Sequence, residues 1–227
     1  MSILNMLKTL ETFFVFKVSV LYSPRFMKTE ILNNATQLFL NQGFKSVTMD
    51  DIATHMGISK KTIYANYAHK TELVEAVGHH LLNNVQCAVK DMVDEHMNPI
   101  EELYEIKKYV IQHLQGEKTS SIQQMMKYYP KIFTKLRASQ NEFMRGCMEK
   151  NISRGIELGL FRDNLDVEFV SRMYQIGITN IKDETIFPSD KFPQIALYET
   201  YLEYHLRGIV TPEGRKILNQ IIHSNQD

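Results

Sequence analysis

A glycine at position 57, with a hydroxyl residue two places after it and another nine places before it, limits how this chain can fold. From Thr48 to Lys70 the sequence reads T-M-D-D-I-A-T-H-M-G-I-S-K-K-T-I-Y-A-N-Y-A-H-K. Thr48 is placed to cap a helix, and Asp51, three residues on, completes a weak capping box and puts negative charge at the positive helix end. Ile52, Ala53 and Met56 give that helix an apolar stripe. Gly57 supplies the left-handed residue at which a helix can stop abruptly. Ile58 is expected to plug the space before a second helix, which Ser59 caps and Lys60 to Asn66 form. Two short helices about a tight turn make a helix-turn-helix, whose second helix enters the major groove of DNA.

That second helix is unusual for a core element. Only Ile63 and the following Tyr67 read as buried. Lys60, Lys61, Thr62, Tyr64 and Asn66 are donors of the kinds that contact phosphates and base edges. A Lys-Lys pair alone fits a solvated helix on an ordinary α-domain. The two caps, the turn glycine and the donor-rich helix together favour DNA.

The surrounding residues extend the pattern. I-L-x-x-A-x-x-L-F runs from Ile31 to Phe39, Gly43-Phe44 follows, then T-M-D-D-I-A from Thr48, G-I-S-K-K-T-I-Y-A-N-Y from Gly57, and Lys70 and Leu73. In this register residues 30–73 resemble the DNA-binding domain of the TetR/AcrR family of bacterial repressors. The rest of the chain is similar only in helix pattern and length. The resemblance implies an all-α fold: an N-terminal three-helix DNA-binding domain with a helix-turn-helix, joined to a helical ligand-binding and dimerisation domain. The expected division is 27–74 for the head and 75–227 for the body, with 1–26 as an extension. It further implies that Tyr64 and Lys70 grip phosphate, with Thr48 and Asn66 alongside them. Ser59 and Thr62 join the DNA-facing set. Lys60 and Lys61 are the candidates for base edges, where Lys favours guanine acceptors, and Ala65 for a thymine methyl. The family often carries His-Phe where this chain has Asn66-Tyr67, which leaves half-site preference open.

Composition narrows the partners. Of 227 residues, 44% are hydrophobic and 23% charged, and the formal net charge is zero, so no global basic field draws in nucleic acid. Residues 27–73 hold five Lys and four acids, and a binding face there must come from local placement. Cys87 and Cys147 have no metal or redox spacing, and His79, His80 and His96 lack the i, i+4 spacing of a helix-borne metal site. No cofactor is expected. Paired catalytic carboxylates, a nucleophile elbow and a phosphate loop are all missing, so an enzyme is not the reading.

In chain order, Phe13 to Tyr22 is apolar and β-prone, too short to span a membrane and interrupted by Lys17. No small-residue cleavage site follows, so a secretory signal is not expected. Either Met27 is the true start or residues 1–26 form an arm on the body or the DNA. Helices are expected over 27–42, 70–97, 100–115, 121–129, 130–158, 167–182 and 193–209, with a loop at 116–121 and a last short helix to His223. The helices at 167–182 and 193–209 carry apolar stripes. These either face the monomer's core or, as the resemblance implies, meet a second subunit in a four-helix bundle. The resemblance also places a ligand cavity in the body, for which Tyr104, Met125, Met126, Tyr128, Tyr129, Phe133, Phe143, Met144, Cys147 and Tyr174 are candidates; any one of them can equally be plain core. The implied function is a cytoplasmic, homodimeric repressor that leaves a palindromic double-stranded operator when a small apolar or aromatic inducer binds. The alternative is a structural or division factor on DNA with no inducer.

Overall fold

The computed structural model describes residues 24–93, 97–116, 119–181 and 183–224, and every regular element among them is a helix. The expectations for residues 1–23, including the apolar run, and for His96 lie outside the described residues. In order the helices are α1 (Pro24–Gln42), α2 (Met49–Met56), α3 (Lys60–Asn66), α4 (Lys70–Met92), α5 (Pro99–Gly116), α6 (Thr119–Tyr128), α7 (Pro130–Glu157), α8 (Val167–Asn180), α9 (Gln194–Ile209) and α10 (Pro212–Ser224).

The expected bounds mostly hold to within a few residues. The clearest departure is at 116–121, expected as a loop: helix α6 already begins at Thr119. The other is α4, which stops at Met92 and not near Met97.

The chain forms two compact units. The first gathers the described residues of 1–81 and 117–134, and the second those of 82–116 and 135–227. In the first unit α1, α2 and α3 close around Ile31, Ala35, Phe39, Phe44, Ile52 and Ile63, all 2% exposed or less. Phe39 and Phe44 stack with ring centres 5.0 Å apart, so the residue that follows the turn glycine folds back onto the helix that precedes it. The alternation of caps, turns and 3.6-residue apolar spacing produces this packing directly.

The second unit has its own core, built from Ile100, Ile152, Phe161, Leu202, Leu206 and Leu218 on α5, α7, α9, α10 and the turn after α7. That turn, E-L-G-L-F-R, pairs Phe161 with Val210 in an isolated antiparallel bridge, closed by Arg162 N–H to Ile209 O at 2.9 Å and Thr211 N–H to Leu160 O at 2.9 Å. A polar pin ties the start of α5 to α7. Glu102, 4% exposed, accepts from Arg154 at 2.5 Å and from Asn151 Nδ2 at 2.9 Å. Arg154 and Asn151 also donate to the carbonyls of Met97 and Pro99. A buried carboxylate needs such company, since an unpaired buried charge is strongly unfavourable.

Candidate nucleic-acid interface

The turn at the centre of the first unit forms as its residues dictate. Thr48 is extended (φ −102°, ψ 166°), and its hydroxyl accepts from Asp51 N–H at 3.1 Å. Asp51 Oδ2 in return accepts from Thr48 N–H at 2.8 Å. The capping box is therefore complete rather than weak. These bonds, the backbone one first, hold the Asp51 carboxyl below the usual carboxylate range. Gly57 takes the left-handed conformation (φ 64°, ψ 29°). Its N–H reaches Thr54 O at 3.2 Å and the Ile58 N–H reaches Ala53 O at 3.0 Å, which satisfies carbonyls that the end of a helix leaves open. Ser59 then caps α3 by accepting from Thr62 N–H at 3.1 Å.

These caps fix the pose of α3. Ile63 and Tyr67 are buried at 0% and 3% exposure, as the sequence implies. The Tyr67 ring lies 5.0 Å from the Lys28 ammonium, and its hydroxyl donates to Lys28 O at 3.4 Å, which anchors the end of α3 to the first helix. Opposite this anchor, Lys61, Tyr64 and Ala65 are exposed, with Tyr64 at 48%. That leaves one face of a short helix presenting an ammonium, a phenol and a methyl group to solvent, a set able to meet phosphate oxygens and base edges.

The other DNA candidates are already engaged within the head. Lys60 is ion-paired with Asp50 of α2, and that bond, then the nearby charge, pushes the ammonium's pKa up. Asn66 Nδ2 turns back to donate to Thr62 O at 2.8 Å. The Thr62 and Ser59 hydroxyls bond each other at 2.8 Å, and the Thr48 hydroxyl is used in the cap. Lys70, at the start of α4, donates to Lys45 O at 3.1 Å and lies 5.8 Å from the Phe39 ring centre, and burial lowers its pKa. One of its three protons is taken by that carbonyl. Sequence reasoning did not single out Asp50 as a partner for Lys60. The signal was present in its place on the first turn of α2, but its pairing depends on how α2 and α3 cross.

The ten pocket candidates divide between the units. Met125, Met126, Tyr128, Tyr129 and Phe133 belong to the first, where Met125 is buried and Met126 is 52% exposed. Tyr104, Phe143, Met144, Cys147 and Tyr174 belong to the second. Tyr104 is buried beneath the Lys107 ammonium, 4.6 Å from the ring centre, and burial pushes its hydroxyl up to about 12. Tyr174 packs its ring 4.9 Å from His205 and 5.7 Å from Tyr201. Phe143 sits 5.6 Å from the Lys90 ammonium, and burial raises the Cys147 thiol. Two clefts of about 550 and 460 Å³ open in the second unit, between the turn after α7 and the start of α10, and between α7 and α8; none of the ten candidates lines either. Among the described residues no group of three or more His, Cys, Asp or Glu is placed to hold a metal, and no helix is long and apolar enough to cross a membrane.

Known proteins share both the head and the helical frame. Residues 31–77 match the family described as "Bacterial regulatory proteins, tetR family". The HTH-type transcriptional repressor KstR2 of Mycobacterium tuberculosis is 27% identical over 188 residues, covering 82% of this chain and 93% of that repressor. A transcriptional regulator from Cytophaga hutchinsonii superposes with a TM-score of 0.67 at 17% identity, over 81% of this chain and 98% of its own. SmeT, the repressor of the Stenotrophomonas maltophilia multidrug efflux pump SmeDEF, does so with a TM-score of 0.63 at 16% identity, over 82% and 92% in its triclosan complex at 15% identity, and over 82% and 91% alone. A doubly capped helix-turn-helix with a donor-bearing second helix, and a family match over that same stretch, lead to one assignment: residues 31–77 carry the DNA-binding domain of the tetR family of bacterial regulatory proteins.

Proposed function

We propose that this protein is a ligand-responsive transcriptional repressor that binds a palindromic DNA operator as a homodimer, in the cytoplasm. The observation that carries the reading is the exposed Lys61–Tyr64–Ala65 face of α3, held in place by the Thr48 and Ser59 caps and by the buried Tyr67. Tyr64 and Lys70 contact phosphates and set the register, while Lys61 reads a base edge. The dimer forms through α8 and α9. In a single chain α8 exposes Phe169, Met173 and Ile176 at i, i+4 and i+7, an apolar face that a monomer has little reason to leave in water, and α9 exposes Ile195 and Tyr204.

The ligand is a small apolar or aromatic molecule accommodated by the tyrosines and methionines of the helices after α4. That SmeT has been solved with triclosan supports this ligand class. Ligand and operator oppose each other, so by linkage each weakens the other's binding by the same factor, of order 5–150-fold for a typical coupling. A second reading, a DNA-bound factor with no inducer, draws on Tyr104 being buried in the core and Tyr174 packing against it. The test starts from duplexes enriched in vitro on the purified protein. A panel of apolar aromatics, triclosan included, is then screened for raised melting temperature, and each hit is titrated with and without the enriched duplex. Selection of inverted repeats, and a hit whose affinity falls when DNA is present, is the expected result. Failure to enrich any sequence removes the proposal, and hits indifferent to DNA leave the inducer-free reading.

A further inference from the structure

Lys45 stands in the turn between α1 and α2, and three of its groups are held at once. Its N–H donates to Gln124 Oε1 at 3.1 Å. Its carbonyl accepts from the Lys70 ammonium at 3.1 Å. Its own ammonium lies 5.0 Å from the centre of the Tyr128 ring. Gln124 and Tyr128 are one turn apart on α6, so a single face of that helix meets the turn. One turn earlier, Ser121 is 2% exposed and donates its hydroxyl to Leu40 O at 3.0 Å. That carbonyl is in the last turn of α1, where carbonyls lose their partners within the helix.

Gly43 makes the approach possible. Its backbone is left-handed (φ +92°), and a Cβ at this position would fall inside contact distance of the Gln124 amide. The amide therefore lies directly against the backbone of the turn. All of these groups belong to the first compact unit, although 79 residues separate Lys45 from Gln124.

We infer that Gln124 is a remote positioning residue for the DNA contact made by Lys70. By holding the Lys45 N–H it fixes the residue whose carbonyl takes one of the three Lys70 protons. The other two are thereby aimed outward from the first turn of α4, and the long side chain loses less conformational freedom when it meets a phosphate. Gln124 touches no DNA in this scheme. It acts through Lys45. The inference rests on the DNA-binding reading above.

The experiment measures binding to an in vitro-selected duplex by fluorescence anisotropy across a series of KCl concentrations. Four proteins are compared: the full chain, Gln124→Met, Lys70→Ala and the double variant. Methionine keeps the volume of glutamine and removes the acceptor. Lys70→Ala should lower the slope of log affinity against log salt by roughly one contact. Gln124→Met should weaken binding several-fold and flatten the slope in the same direction, and the double variant should be no weaker than Lys70→Ala alone, since one contact cannot be lost twice. A lowered melting temperature with an unchanged slope, or fully additive losses, would overturn the inference while leaving the repressor reading intact. A full chain that binds no selected duplex overturns both.

Discussion

Lys60 and Lys61 are neighbours of the same chemistry, yet the fold gives them different starting points. Lys60 is already paired with Asp50, whereas Lys61 stands exposed on the face opposite Ile63. A base contact from Lys60 has to replace an existing ion pair, and one from Lys61 replaces only water. Lys61→Ala should therefore cost the larger share of specific binding, about 1–3 kcal/mol on the best site, and relax base preference at one position. Lys60→Ala should cost less on that site. Competition binding on a library of operator variants compares them, and equal losses on every sequence would remove the base-reading role from both. The caps and the turn were legible in the sequence because each needs only Thr, Ser, Asp or Gly at a fixed local offset. The Lys60–Asp50 pair and the fold-back of Asn66 were not. Long polar side chains choose partners only after the helices have crossed, and no spacing rule encodes that choice.

Among the elements, α8 and α9 combine an exposed apolar face with a tightly packed inner one. On the inner face the Tyr201 hydroxyl donates to the carbonyls of Met173 and Tyr174 at 3.0 and 3.1 Å. The ring of His205 lies against Tyr174, its Nε2 is sealed from solvent, and burial pushes its pKa down from 6.5 to about 4. Between those two values the unfolded chain binds a proton that the folded chain refuses. The stability linked to neutral His205 is thus fully present above about pH 6.5 and is lost as pH falls toward 4, on the order of 2–4 kcal/mol in all. His205→Phe should flatten that part of the profile of urea midpoint against pH, and a profile identical to that of the unaltered chain would show that other groups set it. The existence and order of these helices followed from apolar periodicity. The place of α6 did not, because the hydrogen bonds and ring contact that dock it on the turn after α1 come from Ser121, Gln124 and Tyr128, whose partners no apolar spacing encodes.

At the level of the whole molecule, the apolar residues left in water on α8 and α9 set the expected assembly. Met173→Glu with Ile176→Glu places two carboxylates on the exposed face of α8, at side chains 48% and 55% exposed in the single chain. Folding should be little affected, but the protein should sediment as a monomer and lose operator binding, because two half-sites about one helical turn apart need two heads held together. A stable dimer of this variant would move the interface elsewhere. The two alternatives for these stripes, monomer core or partner contact, were open in the sequence because periodicity gives a helix an apolar side without saying what covers it. The division of the first unit has a separate consequence, for synthesis. Its pieces are discontinuous, residues up to 81 and then 117–134, and a ribosome adds roughly 5–20 residues per second. For several seconds the nascent chain therefore carries α1, α2 and α3 outside the tunnel before α6 exists to cap the open carbonyl of Leu40. The DNA-reading end is closed only by a helix made after the first piece of the other unit.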